Sequence, residues 1–512
     1  MLTRDDYLYF ADRALDGMTG IVAALGDERA NRKPGANSPY ALLTHCLGVV
    51  EAWAGGLVAG RPVDRDRAAE FTATGPIEPL LERARKVRAA FHADVHAARP
   101  EAPLNRRPPA DFDGPDRELS QGAALLHVYE ELAQHHGQME ILRDQILASE
   151  TGPPQRLRAG IGAKWRDVEP DVLPSWVADM DLGVAPPILD RIHRILARQD
   201  LGYPFRPDDP VVAAFEGRMR DRYGWAPRAG RTKVLSDLLQ ILQIVIELTT
   251  RPGDGVALHV PAYPPFLASI RRAGRVVVPI QVPADVGRAK LLVLVNPQNP
   301  TGRVLTAEEL SEFAMAAEEH DLVVLADEIH ADLTYAPHRH IPFASLPGMA
   351  TRTVTATSAT KTFNIAGLRC AIAHIGPDAL VQRLDALPID YFGTPDILGR
   401  AATVAAWTEA GQWHRDLMVR LRANRDRVAA WAAERGLAHR IPEATYLSWI
   451  DFAGTRIADD PAGHILRDGR VRLSPGTEFG GDCGTFARIN FATTPETLEE
   501  ILAGVERALE RR

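Results

Sequence analysis

The stretch LLVLVNPQNPTG (291–302) decides the fold class, because an uninterrupted apolar run ends in a turn rich in Asn, Pro and Gly. Two further runs, VALHV (256–260) and LVVLA (322–326), also lack alternating polar residues, and helix-like stretches such as Ala307–Glu319 lie between the runs. Continuous apolar strands that alternate with helices are typical of a largely parallel sheet covered on both faces. The sequence therefore predicts an α/β domain.

Composition and charge indicate a globular protein of two or three domains. The chain has 512 residues, of which 46% are apolar and 25% charged, the balance of a water-soluble fold. The net charge is −8 and no block of like charges stands out. This argues against general nucleic-acid binding.

Targeting and membrane segments are not expected. The N-terminal stretch MLTRDDYLYFADRALDG is charged and lacks a signal-peptide core, and no run of about 18 uncharged apolar residues occurs. We therefore predict a cytoplasmic protein without membrane contact. Cys46, Cys370 and Cys483 match no zinc or redox spacing, which predicts buried free thiols.

The pattern changes along the chain and predicts four segments. Residues 1–148 show apolar spacing of three and four without strand signals, which favours an all-α bundle. A Gly-Pro-Pro segment marks a linker at 149–159. The α/β domain follows at 160–390 with an N-terminal arm at 160–200, and 391–512 are predicted to form a smaller α+β domain that begins with a long helix.

Two of the predicted strands end in side chains suited to a pyridine-type cofactor. Asn299 follows LLVLV and is able to hydrogen-bond a phenolic oxygen, although Asn-Pro and Thr-Gly are also ordinary turn dipeptides. Asp327 ends LVVLAD, where a carboxylate pairs with a protonated pyridine nitrogen, and His330 lies three residues on. In open α/β sheets, ligands bind beyond the carboxyl ends of the strands.

The third motif, TATSATKTFNIAGLR (355–369), places Lys361 after small and hydroxylated residues on a predicted strand-to-helix turn. Such a lysine condenses with an aldehyde, and Ser358 and Arg369 suit phosphate contacts. A lone lysine is usually a solvated charge. The order Asn, Asp, Lys at three strand ends favours the cofactor interpretation here.

These motifs resemble the fold-type I pyridoxal-phosphate enzymes, and among them the MalY/PatB cystathionine β-lyase group. The resemblance covers residues 160–510 and implies a mostly parallel seven-stranded sheet. Its marks are KW (164–165), WVADMDL (176–182), LGY (201–203), PAYPPF (261–266), NPQNPTG (296–302), DEIHADL (327–333), TKTFNIAGLR (360–369), TYLSWIDF (445–452) and FARINFA (486–492).

The resemblance also implies a function for each cofactor residue. Lys361 would carry the cofactor and move protons, Asp327 would hold the pyridine nitrogen, and Asn299 and His330 would address the phenolic oxygen. Tyr263 would stack on the ring and act with Lys361 as a catalytic residue, although an aromatic there also serves as core filler.

Substrate contacts are implied in the same way. Arg488 would clamp the substrate α-carboxylate, since guanidinium suits bidentate binding, and Asp179 would belong to the substrate site. Tyr203 would reach substrate and phosphate from a neighbouring subunit, which implies a homodimer.

The expected phosphate-binding helix start departs from the family pattern. The group usually has a small residue where VLSDLLQ (234–240) offers Ser236, Asp237 and Leu238. An aspartate beside a phosphate is unfavourable unless its side chain turns away to cap the helix. The three positions are kept as predicted contacts.

The predicted bundle carries its own cluster. His127, Glu131 and His135 are four residues apart and therefore share one helical face, and His45 lies on an earlier helix. Histidine and carboxylate ligands with an open position are typical of a catalytic divalent-metal site. Histidines on amphipathic helices are, however, more often ordinary polar residues.

His45 with the EAW stretch (51–53), and Glu131, His135 and Gly137, resemble the DinB-like four-helix bundles near mycothiol-dependent enzymes. The resemblance implies His45, Glu131 and His135 as ligands of zinc or nickel, with His127 as a neighbouring or alternative ligand. It also implies a low-molecular-weight thiol such as mycothiol at the metal.

Taken together, the two resemblances predict a carbon–sulfur β-lyase for an amino-acid thioether, a cysteine S-conjugate or cystathionine, fused to a thiol-handling metal bundle. An aminotransferase with a structural bundle is the alternative, because the same lysine serves both reactions. A cofactor-sensing regulator is a third interpretation, which no helix-turn-helix pattern or basic stripe supports.

Overall fold

The computed structural model describes residues 3–108, 117–149, 154–203, 209–281, 286–388 and 391–510. The chain divides into two compact units, Met1–Glu150 and Thr151–Arg512. Each is described by itself below.

The first unit is all-α. Its helices are α1 (Arg4–Ala30), α2 (Pro39–Val50), which continues as a π-helix (Glu51–Val58), α3 (Arg67–Glu70), α4 (Ile77–Ala97) and α5 (Gln121–Ser149). Thr3 and Asp6 cap α1 reciprocally, and Ser38 caps α2 ahead of Pro39. The predicted helical bundle is confirmed, and the described residues of this unit contain no strand.

One helix of the bundle is unusually apolar. Pro39–Val58 is long and apolar enough to cross a membrane by length and composition, but 83% of its most apolar window is buried. Its Leu47 and Trp53 pack with Met18 and Phe91 in one core. The apolar character is therefore explained by burial inside the bundle.

The second unit combines helices and three sheets. Its helices are α6 (Pro154–Ala159), α7 (Ala163–Arg166), α8 (Pro186–Arg198), α9 (Pro210–Tyr223), α10 (Leu238–Thr249), α11 (Pro264–Arg272), α12 (Ala307–Glu319), α13 (Asp378–Asp385), α14 (Ile397–Thr408), α15 (Gly411–Glu434), α16 (Pro461–His464) and α17 (Pro495–Glu510). Its strands are β1 (Leu173–Pro174), β2 (Thr232–Leu235), β3 (Gly255–His259), β4 (Val276–Ile280), β5 (Ala289–Val295), β6 (Val323–Asp327), β7 (Thr353–Thr357), β8 (Ala371–Ile375), β9 (Ala438–His439), β10 (Leu447–Asp451), β11 (Val471–Arg472), β12 (Ser474–Pro475) and β13 (Phe486–Asn490).

The central sheet has seven strands in the order β2-β8-β7-β6-β5-β3-β4. All neighbours from β7 to β4 pair in parallel, and only β8 runs antiparallel to both of its neighbours. The predicted mostly parallel sheet is confirmed, and α12 has the bounds expected from the sequence.

The C-terminal part folds around a four-stranded antiparallel sheet, β12-β13-β10-β9. The arm joins this part: β1 pairs with β11, and Ala178 and Met180 share a core with Leu447. The sequence predicts the arm as part of the large domain, because a two-residue strand gives no periodic signal.

Two local differences from the sequence expectation are small. The predicted long helix after residue 396 is two helices, α14 and α15, separated by a short turn. In the predicted linker, residues 154–159 form α6, and residues 150–153 lie outside the described residues. The three cysteines are buried and free, as predicted.

Candidate active site and candidate metal centre

Three adjacent parallel strands deliver the central residues of the candidate active site. β5, β6 and β7 are neighbours in the sheet, and Val295 pairs with Asp327, which pairs with Ala356. Asn299 and Lys361 lie in the segments that follow β5 and β7. Because parallel strands end at the same edge, all three side chains line one cavity of about 380 Å³.

Asp327 is a buried acid without a cationic partner. Its carboxylate accepts a hydrogen bond from Ile329 N at 3.1 Å, and no ion pair among the described residues involves it. Burial raises the pKa of Asp327 to about 7, and the nearby Glu328 charge acts in the same direction. A cation placed against this carboxylate would stabilise its charged form.

His330 lies beside the same cavity with unused hydrogen-bonding capacity. Burial lowers the pKa of His330 to about 3, with the charges of Lys361 and Arg488 contributing. The imidazole is therefore neutral, and its buried Nδ1 has no hydrogen-bond partner among the described residues. Buried polar atoms of this kind call for a partner.

Lys361 extends into the cavity and reaches the arm. Its Nζ donates a hydrogen bond to the Ala178 carbonyl at 2.7 Å and lies 3.8 Å from Asp179 Oδ1. Burial lowers the pKa of Lys361, and the charges of Arg488 and Arg369 add to this, whereas Asp179 opposes it. A larger share of the amine is thus neutral and nucleophilic near pH 7.

Arg488 is a buried guanidinium held by neutral groups. It donates to Asn299 Oδ1 at 2.9 Å, to the Trp176 carbonyl at 2.7 Å and to Ser474 Oγ at 3.0 Å. Burial lowers the pKa of Arg488 to about 10, and none of the ion pairs among the described residues involves it. Its buried Nε also lacks a partner. This arrangement suits an incoming carboxylate.

The predicted phosphate residues gather at the start of α10. Asp237 is the N-cap: its Oδ1 accepts from Gln240 N at 2.7 Å, and its other oxygen pairs with Arg369. Ser236 contacts the Gln240 side chain. The aspartate charge is thus directed to the helix cap and to a guanidinium, and Leu238 lines the cavity beside it.

Ser358 is engaged with its own loop. Its hydroxyl donates to the Cys370 carbonyl at 2.6 Å and accepts from Thr360 N at 3.1 Å. Thr360 also lines the cavity, and sequence analysis missed it. Its place one residue before Lys361 was the available signal.

Tyr263 and Tyr203 occupy different surroundings. Tyr263 immediately precedes α11 and lines the cavity, and burial raises its pKa. Tyr203 is 96% exposed and is not part of the cavity lining. The structure thus brings every predicted cofactor residue to one cavity except Tyr203, and Asp179 joins through its approach to Lys361.

The arm is held at the site by residues that sequence analysis did not single out. The Asn364 side chain accepts a hydrogen bond from Met180 N and donates one to the Leu182 carbonyl. The Asn490 side chain donates hydrogen bonds to the carbonyls of Val177 and Asp179. These contacts fix the segment that carries Ala178 O over Lys361. They join positions far apart in sequence, so no local pattern indicates them.

In the first unit, His45, Glu131 and His135 form one cluster. One ligand atom from each lies within 4.8 Å of the other two. Glu131 Oε2 is 3.2 Å from His45 Nε2 and 3.5 Å from His135 Nε2. His127 Nε2 is 3.8 Å from Glu131 Oε1, at the edge of the cluster. The ligand types suit a divalent metal.

A second layer orients the buried His45. Its Nδ1 lies 2.8 Å from Glu70 Oε2, and Arg65 binds both oxygens of Glu70 at 2.8 Å. Carboxylates that hold the distal nitrogen of a histidine are typical of metal sites. Hydrogen bonds from His135 and His45 hold the pKa of Glu131 well below its usual range. Sequence analysis missed Glu70.

Comparison with known proteins agrees with both parts of the chain. The family model described as aminotransferase class I and II matches residues 212–505. The model described as the DinB superfamily matches residues 11–139.

Individual relatives extend the match over the whole C-terminal part. A cystathionine β-lyase of Corynebacterium glutamicum is 34% identical over 357 residues, covering 68% of this chain and 96% of that protein. The cystathionine β-lyase PatB of Bacillus subtilis is 30% identical, covering 66% and 93%. The crystal structure of a putative PLP-dependent β-cystathionase from Corynebacterium diphtheriae is 29% identical with a TM-score of 0.67, covering 71% and 100%. The chain therefore belongs to the class I and II aminotransferase family of pyridoxal-phosphate enzymes, among relatives named cystathionine β-lyase, and carries a DinB-superfamily domain at its N-terminus.

Proposed function

We propose that the C-terminal part is a carbon–sulfur β-lyase that converts a cysteine S-conjugate, or cystathionine, to a thiol, pyruvate and ammonia. One observation carries the proposal: a single cavity joins the half-buried amine of Lys361, the buried acid of Asp327 and the buried guanidinium of Arg488, and among the described residues Asp327 has no cation and Arg488 no carboxylate as a partner. These three groups complement a pyridinium aldehyde and an α-amino acid. The relatives named cystathionine β-lyase favour β-elimination over other reactions of a pyridoxal-phosphate enzyme with an amino acid.

Different residues of the chain would bind the cofactor, bind the substrate and move the proton. Pyridoxal phosphate, when bound, supplies an electron sink for the pair of electrons left as the substrate Cα loses its proton. Asp327 would hold the pyridine nitrogen, and the neutral His330 would donate from its unpartnered nitrogen to the phenolic oxygen. Arg488 would bind the substrate carboxylate. Lys361, with its lowered pKa, would take the Cα proton while the thiolate leaves Cβ.

The rival is an aminotransferase, and one assay separates the two. The purified full chain is incubated with S-alkyl cysteines and pyridoxal phosphate, with no oxo acid present. Release of pyruvate and of free thiol in equal amounts supports the lyase. Absence of both products, with conversion only after an oxo acid is added, would establish the aminotransferase instead.

For the first unit we propose a divalent metal centre at His45, Glu131 and His135, with zinc favoured and nickel as the alternative. The spacing of the three ligand atoms and the Glu70–Arg65 support of His45 favour it. We further propose that the metal holds a low-molecular-weight thiol such as mycothiol, and that this thiol chemistry serves the lyase. Metal content of the purified chain tests the centre, and the lyase assay repeated after chelation tests the connection.

We also propose a homodimer in which Tyr203 reaches the neighbouring subunit's cofactor. Its 96% exposure and its place outside the lining of its own subunit's cavity favour this. Mixing an inactive Tyr203→Ala variant with an inactive Lys361→Ala variant is expected to restore part of the activity, because mixed dimers contain one complete site. No recovery in a confirmed mixed dimer would rule this arrangement out. The bounds of the four predicted segments and the cytoplasmic location stay predictions.

A further inference from the structure

We infer that Glu478 selects cysteine S-conjugates whose leaving thiol carries a positive charge. This rests on the proposed lyase function and narrows its substrate class. Glu478 lines the same cavity as Lys361 and Arg488 but lies on its exposed side, in the turn Gly476–Phe479.

The other charges of the cavity are already committed. Asp237 pairs with Arg369, and Asp327 is buried where a pyridine nitrogen would bind. Arg488 is directed to the substrate carboxylate. Among the described residues that line the cavity, Glu478 is the remaining carboxylate, and no ion pair with it occurs among them.

Glu478 and Arg488 line the same cavity, Glu478 as an exposed residue and Arg488 as a buried one. The negative charge of Glu478 raises the pKa of Arg488 and so opposes the effect of burial. The two side chains therefore interact electrostatically without forming an ion pair. A substrate whose carboxylate sits on Arg488 would therefore place its sulfur substituent within the field of Glu478.

The backbone that carries Glu478 is fixed in place. Ala262 N donates to the Phe479 carbonyl at 2.8 Å, which ties the turn to the loop that holds Tyr263. A Cβ at Gly476 would lie 2.0 Å from the Cys483 carbonyl, so this position accepts only glycine without a backbone shift. Glu478 therefore projects from a defined point beside the cavity, as a selecting residue requires.

The charged side chains that line the cavity also disfavour a negatively charged leaving group. No lining cation among the described residues is left to receive a second carboxylate, since Lys361, Arg369 and Arg488 are all committed. Cystathionine carries both an ammonium and a carboxylate at its distal end. An aminoalkyl conjugate, with the ammonium alone, fits the cavity charge better.

The test compares three conjugates of similar size: S-(2-aminoethyl)cysteine, S-propylcysteine and S-carboxymethylcysteine. In the wild-type chain, kcat/KM for pyruvate release is expected to fall in that order, with cystathionine below the aminoethyl compound. In Glu478→Gln the aminoethyl-to-propyl ratio of kcat/KM is expected to fall about twofold to fivefold, the range of an exposed ion pair. Glu500→Gln removes an exposed charge outside the cavity and is expected to leave the ratio unchanged.

An aminoethyl-to-propyl ratio that is the same in wild type and Glu478→Gln would overturn the inference. Loss of the preference in Glu500→Gln as well would also overturn it, because the effect would then be one of overall charge. Failure of the lyase function looks different, since no conjugate would then yield pyruvate. In that case the dissociation constants of the aminoethyl and propyl compounds are measured from the change in visible absorption. Their ratio in the wild type, compared with the ratio in Glu478→Gln, then tests whether Glu478 selects the positive charge.

Discussion

Two carboxylates, Asp327 in the candidate active site and Glu131 in the candidate metal centre, are placed in opposite electrostatic surroundings. Burial without a cation raises the pKa of Asp327 to about 7. Glu131 lies between His45 and His135, whose hydrogen bonds lower its pKa. The first carboxylate lacks a partner that a cofactor would supply, whereas the second already has partners that a metal would replace. The charged form of the first carboxylate is thus disfavoured by burial, whereas the charged form of the second is stabilised by the chain's own histidines.

The largest effect is expected at Lys361, which gives the first site its reactive amine. Lys361→Ala removes both the covalent attachment of the cofactor and the Cα base, so the rate of thiol release is expected to fall about 10⁴-fold or more. The visible absorption of the purified protein is expected to change in parallel. Lys233→Ala, which removes an exposed amine paired with Asp385, serves as the control. Retained turnover in Lys361→Ala would show that the activity of the first site does not depend on the Lys361 amine.

Asp327→Asn tests whether Asp327 pairs with the pyridine nitrogen of the cofactor. The substitution keeps the shape of the side chain but removes the charge, so cofactor affinity is expected to fall about a hundredfold, the size of a buried charge-assisted hydrogen bond. Cofactor titration followed by absorption measures this. An unchanged affinity would show that Asp327 does not face the pyridine nitrogen.

The pH dependence of stability follows from the same carboxylate. In the cofactor-free protein the raised pKa means that the folded state holds a proton that the unfolded state loses, so stability falls between about pH 4 and pH 7 and stays lower above that. The contribution is at most about 4 kcal/mol. Bound cofactor is expected to remove this loss. The Tm difference between cofactor-bound and cofactor-free protein should therefore widen from pH 5 to pH 7.5, and Asp327→Asn should abolish the widening.

For the second site, Glu70→Gln separates the supporting layer from the ligands. The amide no longer holds His45 Nδ1 as a charged acceptor, so zinc affinity is expected to fall about tenfold to hundredfold. Competition with a chromogenic chelator measures it, and far-ultraviolet circular dichroism checks that the bundle is intact. Glu78→Gln, an exposed residue of α4, is the matched control. Equal affinity in the wild type and both variants would mean that Glu70 does not support metal binding at His45.

The sequence predicted the first site better than the second, for a physical reason. Asp327 ends a strand, and Asn299 and Lys361 follow strands. Because parallel neighbours end at one edge of the sheet, local patterns determine a long-range arrangement. Glu70 lies in a helix of four residues and approaches His45 only through packing of the bundle. The arm likewise reaches Lys361 through side chains such as Asn490, whose partners no periodicity indicates.

The smallest expected effect concerns Asp237, where the sequence raised a conflict that the structure resolves by geometry. Asp237 caps α10 and pairs with Arg369, so its charge is compensated but still lies beside the predicted phosphate position. Asp237→Ser keeps a capping side chain, removes the negative charge and leaves Arg369 available to a phosphate. Cofactor affinity is expected to rise about twofold to fivefold, the scale of one partly exposed charge interaction, and the rise should shrink at high ionic strength. Asp237→Asn, which also keeps the cap, is expected to behave in the same way. A fall in affinity in both variants would show instead that the Asp237–Arg369 pair holds Arg369 in the position from which it binds phosphate.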